Sequence, residues 1–139
     1  MAQINLQKII AVKGQPGLFH LTNYNPKGYF LQPFEGGPVR FFSNEKGKVL
    51  ALGNVDLKLS DDQSINLLEV FRLMDKHQAP VIDASKQELI SFFNELIPNL
   101  DSTVATSHLQ KTVSWYYKIR ELFQEKEIVN EEVDGLTIV

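Results

Sequence analysis

Gly53-Asn54-Val55-Asp56-Leu57-Lys58-Leu59-Ser60-Asp61-Asp62-Gln63-Ser64-Ile65-Asn66-Leu67-Leu68 is where the chain changes its pattern. Val55, Leu57 and Leu59 alternate with Asp56 and Lys58, a period of two that sends the apolar residues to one face of a strand. After the polar connector Asp61–Ser64 the period lengthens. Leu67, Phe71 and Met74, with Leu68 and Val70 beside them, line one face of a helix expected over roughly Asn66–Gln78. Seven of the eight glycines precede Ser60. The chain therefore reads as a β part followed by a helical part.

Upstream, Gly17–Tyr24 and Tyr29–Phe34 are expected strands joined by Asn25-Pro26-Lys27-Gly28, in which Pro presets the second turn position and Gly takes the fourth. Pro33 lacks a ladder donor, which predicts an edge strand or a bulge there. Glu35-Gly36-Gly37-Pro38, Asn44–Gly47 and Gly53-Asn54 supply further turns around strands at Val39–Ser43 and Lys48–Leu52. With Val55–Leu59 this makes five short antiparallel strands, expected to curl into a small SH3-like barrel over residues 1–60.

Downstream, Pro80 ends the first helix. The second is expected over Lys86–Ile97, capped by Ser85 with Glu88 and stopped by Pro98. The third runs from Ser107 to about Lys126, with Leu109, Val113, Tyr116, Ile119 and Phe123 on one face. Thr103–Thr106 reads as a short extended piece. The expected class is α+β: a β barrel, a three-helix domain over residues 61–127, and an acidic, then apolar tail over 128–139.

With 43% hydrophobic and 22% charged residues in 139, the composition is that of an ordinary globular protein. The absence of cysteine excludes disulfides, thiolate metal sites and cysteine nucleophiles, and fits a reducing cytosol. Met1–Ile10 lacks the pattern of a signal peptide, and no apolar run approaches the ~20 residues that span a bilayer. The expectation is a cytoplasmic protein with no membrane role. Net charge is −3 but uneven: residues 1–60 carry +4 and residues 61–139 carry −7. A basic β module invites an anionic partner, which could be the chain's own acidic half.

No P-loop, Gly-x-Ser-x-Gly elbow or Gly-x-Gly-x-x-Gly fingerprint occurs. His20, His77 and His108 fall in separate elements without metal-ligand spacing, so neither metal nor cofactor is expected. Gly14-Gln15-Pro16-Gly17 matches an RNA-clamping loop only superficially, because it leads into a strand. Two binding features remain. Residues 19–42 hold seven aromatics, and alternation requires Tyr29-Phe30 and Phe41-Phe42 each to split between faces. Tyr29 and Phe42, with Lys27, Arg40 and Lys48, form the expected aromatic and basic surface. On the third helix, Lys111 and Lys118 share a face within an acid-free stretch, as on a nucleic-acid recognition helix.

Lys8-Ile9-Ile10-Ala11-Val12-Lys13-Gly14-Gln15-Pro16-Gly17-Leu18-Phe19 resembles the opening "KILAISGKPGLY"-type motif of a family of small bacterial proteins, known mainly from the Bacteroidetes as a domain of unknown function. Ser107-His108-Leu109-Gln110-Lys111-Thr112-Val113-Ser114-Trp115-Tyr116 resembles its later "SDIKKVLSWY"-type segment, with His108 standing where an acid is usual. The resemblance implies an SH3-like N-terminal part and a helical C-terminal part, and brings no catalytic residues. Trp115 reads as a packing residue.

The functional expectation is a non-enzymatic binding or adaptor protein with a protein partner. The same surface admits a nucleic-acid- or ribosome-associated factor. A hydrolase would need acids converging on His20 or His77 in a deep pocket. Homo-oligomerisation through exposed aromatics, or through Leu136–Val139 as an added strand, is a further expectation.

Overall fold

The structure is a computed structural model and describes residues 3–77, 83–122 and 127–136. The class is α+β, with nine strands and three helices among the described residues. They form two compact units, Met1–Val55 with Lys126–Val139, and Asp56–Glu125. The sequence reading had divided the chain after residue 60 and set 128–139 apart as a tail.

Unit one is built on a five-stranded antiparallel sheet in the order β5-β4-β3-β2-β6. Its strands are β2 (Ile9–Val12), β3 (Phe19–Asn25), β4 (Gly28–Pro33), β5 (Arg40–Ser43) and β6 (Val49–Ala51). The expected turn joins β3 to β4, and the Asn25 side chain fixes it by accepting from the Lys27 and Gly28 amides at 2.8 and 3.2 Å. Pro33 behaves differently from expectation. It ends β4, which lies inside the sheet, and sits beyond the last rung with β5, Leu31↔Arg40. Its missing donor therefore costs no bond to β5. The irregularity falls in β3, between Leu21 and Asn23.

The sheet curls without closing. Phe42 on one edge and Val49 on the other belong to one apolar cluster with Ile10, Phe19, Tyr29, Leu31 and Ala51. The rings of Phe19 and Phe42, two strands apart, meet edge-on at 5.6 Å. The edges β5 and β6 do not pair, so the expected barrel is not closed.

Two further pieces complete unit one. Strand β1 (Gln3–Asn5) pairs in parallel with β9 (Glu127–Val129), matching buried Ile4 to buried Ile128. Single 3₁₀ turns at Leu6–Lys8 and Leu52–Asn54 bury Leu6 and Leu52 completely. An amide cluster ties the C-terminal segment down. The Asn5 side chain accepts from the Gln7 and Glu131 amides, and Gln7 Nε2 donates to Asn54 Oδ1 and Asn130 Oδ1. Asn130 Nδ2 donates to the Gly53 carbonyl at 2.8 Å. A Cβ at Gly53 would lie 2.3 Å from Asn130 Oδ1 and 2.6 Å from Gln7 Nε2, so it would push these amide side chains out of the cluster.

Unit two opens within the Val55–Leu59 alternation, which serves a different partner from the one expected. Strand β7 (Asp56–Lys58) pairs with β8 (Ser64–Asn66) across the Asp61–Gln63 turn, burying Leu57. Asn66 then caps α1 (Leu67–Lys76) by accepting from the Leu68 amide. Ser85 caps α2 (Lys86–Leu96) by accepting from the Glu88 amide at 3.2 Å. Helix α3 spans Thr106–Leu122. Residues 102–103 form a turn rather than the expected extended piece. The apolar stripes meet in a core of Leu67, Val70, Phe71, Met74, Leu89, Phe93, Leu109, Val113 and Ile119. Trp115 is half-buried rather than central. The expected positions Gln78, Pro80, Phe123 and Val139 lie outside the described residues. No helix among the described residues is long and apolar enough to cross a membrane.

Candidate binding surface

The register of the β4–β5 hairpin decides which aromatics face outward. Tyr29 pairs with Phe42 and Phe30 with Phe41, so each adjacent pair splits as alternation requires. The inward members are Tyr29 and Phe42, at 3% and 6% exposure. These are the two aromatics the sequence reading assigned to a binding surface; both belong to the core of unit one. The outward members are Phe41, 49% exposed, and Phe30, with ring centroids 5.1 Å apart. Val39 and Leu50 are also exposed. Phe30 and Phe41 are among the seven aromatics of residues 19–42, but nothing in the sequence singles them out from their neighbours. Alternation separates neighbours without saying which one turns inward.

The basic candidates lie on different parts of unit one. Lys27 is exposed at the β3–β4 turn, held against β5 by the Asn44 amide on the Lys27 carbonyl at 3.1 Å. The Arg40 guanidinium sits 5.0 Å over the Phe42 ring and donates to Gln15 Oε1 at 3.5 Å. It therefore covers the rim of the core. Lys48 stands just before β6, at the other edge of the sheet, and is half-buried, its carbonyl accepting from the Lys13 amide. Between Lys13 and Val55 there are five cations and two acids. Among the described residues, Lys27, Lys46 and Lys48 have no ion-pair partner.

Lys111 and Lys118 belong to unit two, on α3. Lys111 is exposed and Lys118 half-exposed. Their neighbour Arg120 is committed elsewhere. Its Nε donates to Asp75 Oδ1 at 3.1 Å and its second nitrogen binds Asp75 Oδ2, a two-point grip between α3 and α1. The Tyr116 hydroxyl donates to the same carboxylate at 2.7 Å. Burial first, and then this bond to Asp75, push the Tyr116 phenol up to about 12. The cluster holds two helices together and leaves no charge from Arg120 for a recognition face.

That geometry makes an alkaline prediction. The folded pKa of Tyr116 is above its ordinary value of 10.0, so the stability it contributes is intact below pH 10 and is lost as pH rises toward about 12. Because the site is partly open to solvent, the contribution is about 1 kcal/mol. Urea unfolding across this window should show a loss that Tyr116→Phe removes. In Asp75→Asn the phenol should titrate lower, while staying above its ordinary range because burial is the larger cause.

The three histidines have different surroundings within their units. His20 stacks on Phe34 at 4.3 Å in unit one. His77 is exposed at the end of α1. His108, near the start of α3, is held below its ordinary value by burial and by Lys111. Among the described residues, no group of three or more His, Asp or Glu could hold a metal ion. An open cleft of about 500 Å³ lies between Gln7, Asn54 and the segment Glu132–Leu136, with no histidine in its lining.

No family profile and no curated protein matches the sequence. Among solved structures, the chain is similar to the solution NMR structure of a structural-genomics target from Bacteroides vulgatus. The two are 20% identical with a TM-score of 0.62, over 94% of this chain and 99% of that one. A likeness at this identity carries the fold and leaves the function to be argued from the surface.

Proposed function

We propose that this chain is a non-enzymatic binding protein whose working surface is the outer face of the β4–β5 hairpin. The observation that supports this is Phe41, half exposed on an edge strand and backed by Phe30, among cations that have no carboxylate partner within their unit. An exposed aromatic pair offers a partner large apolar area at low entropic cost, and unpaired lysines steer an anionic partner to it. The aromatic residues in this role are Phe30 and Phe41, with Lys27 at the hairpin turn, Arg40 at the inner rim over Phe42 and Lys48 at the start of β6 as the further cations of the unit. The curled sheet is an SH3-like module in this reading, and the chain is a relative of the Bacteroidetes-type family whose motifs it resembles. A cytoplasmic setting fits its lack of cysteine.

The test is affinity capture from cell lysate with wild type and Phe41→Ser, each with and without nuclease. The binding reading expects a nuclease-resistant protein that Phe41→Ser loses. Capture that nuclease abolishes would transfer the surface to a nucleic-acid ligand, for which stacking on Phe41 and contacts from Lys27, Arg40 and Lys48 are the matching chemistry. Capture indifferent to Phe41 would overturn the assignment.

A further inference from the structure

We infer that the free edge of β5 takes up an extended acidic peptide as a sixth strand, which deepens the binding reading above and rests on it. Four observations carry this. First, β5 ends the sheet order and has a strand partner on one side only. Second, the ladder phase aims its groups outward. The Asn44 amide bonds the Lys27 carbonyl at 3.1 Å, so the alternate pairs Tyr29↔Phe42 and Leu31↔Arg40 are the bonded rungs. Phe41 and Ser43 then turn their N–H and C=O groups away from β4. Neither backbone has a hydrogen bond outside the ladder among the described residues.

Third, an incoming strand would set alternate side chains beside Phe41, whose 49% exposure and contact with Phe30 give an apolar side chain a seat. Fourth, the charge around the edge is mainly positive. Lys27 stands at the hairpin turn, Arg40 begins β5, and Lys46 and Lys48 follow before β6, against Glu35 and Glu45. Glu45 already accepts from the Ser43 hydroxyl at 3.3 Å. Lysines beside an edge repel a second copy of the same edge, because two β5 strands would bring the two sets of cations together. A peptide of alternating acidic and apolar residues satisfies the open backbone groups, the aromatic seat and the cations together.

The experiment uses the full chain and three short fluorescent peptides. One alternates aspartate with isoleucine, one alternates lysine with isoleucine, and one is the aspartate peptide N-methylated on alternate amides. The expected result is binding of the aspartate peptide by anisotropy, weakened by salt. Binding should be about tenfold weaker with the lysine peptide, as several surface ion pairs are exchanged for repulsions. N-methylation in the register that faces β5 should abolish it, and Phe41→Ser should reduce it. Amide shifts in a ¹⁵N spectrum should cluster at Arg40–Asn44. Equal binding of all three peptides, or shifts elsewhere, would overturn strand addition by an acidic partner. If lysate capture still depended on Phe41 in that case, the broader binding reading would stand and only the partner class would fall. Tighter binding of a single-stranded oligonucleotide than of the aspartate peptide would overturn both.

Discussion

Phe71→Ala is expected to lower the stability of unit two by about 3–5 kcal/mol, read as the shift of its urea midpoint at constant slope. Phe71 is fully buried on α1, and its ring meets Tyr116 of α3 edge-on at 5.7 Å. Truncation leaves a void where two helices meet, and the surrounding side chains are held by the Asp75–Arg120 grip, so they cannot collapse freely into it. A loss of this size is a large fraction of the 5–15 kcal/mol typical of a whole domain, so the variant should be partly unfolded near body temperature. Phe71→Leu keeps most of the volume and should cost under about 1.5 kcal/mol. A loss below about 1 kcal/mol for the alanine variant would mean that the α1–α3 contact is not the core of this unit.

Gly28→Ala is the larger test of unit one. The residue opens β4, and a Cβ there would stand 2.2 Å from the Phe42 carbonyl oxygen and 3.0 Å from the Ser43 Cα. Those are backbone atoms of the neighbouring strand and cannot rotate away. The expected cost is about 3 kcal/mol, at the upper end for overpacking, with loss of the β4–β5 register. Gly47→Ala is the control. Its φ is +78° but no atom lies near its missing Cβ, so it carries only the left-handed backbone penalty of about 1–2 kcal/mol. If the two variants cost the same, space at Gly28 is not what holds β5 against β4. Because the same Cβ would stand 2.8 Å from the tip of the Phe41 ring, Gly28→Ala should also displace that ring and weaken capture through this edge.

Local chemistry in the sequence was a sound guide to local structure. The Asn25–Gly28 turn, the Asn66 start of α1 and the Ser85 cap depend on residues within a few positions of one another, and each forms as its residue types dictate. The splitting of Phe41 from Phe42 was equally legible. What alternation could not give was direction: Tyr29 and Phe42 turn inward, because the curl of the sheet brings both into the cluster around Phe19 and Leu31. Nor could it name partners. Val55–Leu59 alternates as a strand should, but its neighbour is β8, and the missing fifth strand of the sheet is Ile9–Val12, a continuous apolar run. The Asp75–Tyr116–Arg120 cluster joins residues 41 and 45 positions apart, a separation at which no spacing rule operates.

The parallel pairing of β1 with β9 has a temporal side. Gln3 and its partner Glu127 are added to the growing chain more than a hundred residues apart. At ordinary elongation speeds that interval is on the order of 10 s, long compared with the formation of a hairpin or a helix. The curled sheet and the helices can therefore form while Ile4 still lacks Ile128 and the Asn5 side chain still lacks Glu131. Translation that stalls before Glu127 would leave the folded sheet with one apolar strand uncovered, a form on which a chaperone or a degradation system could act.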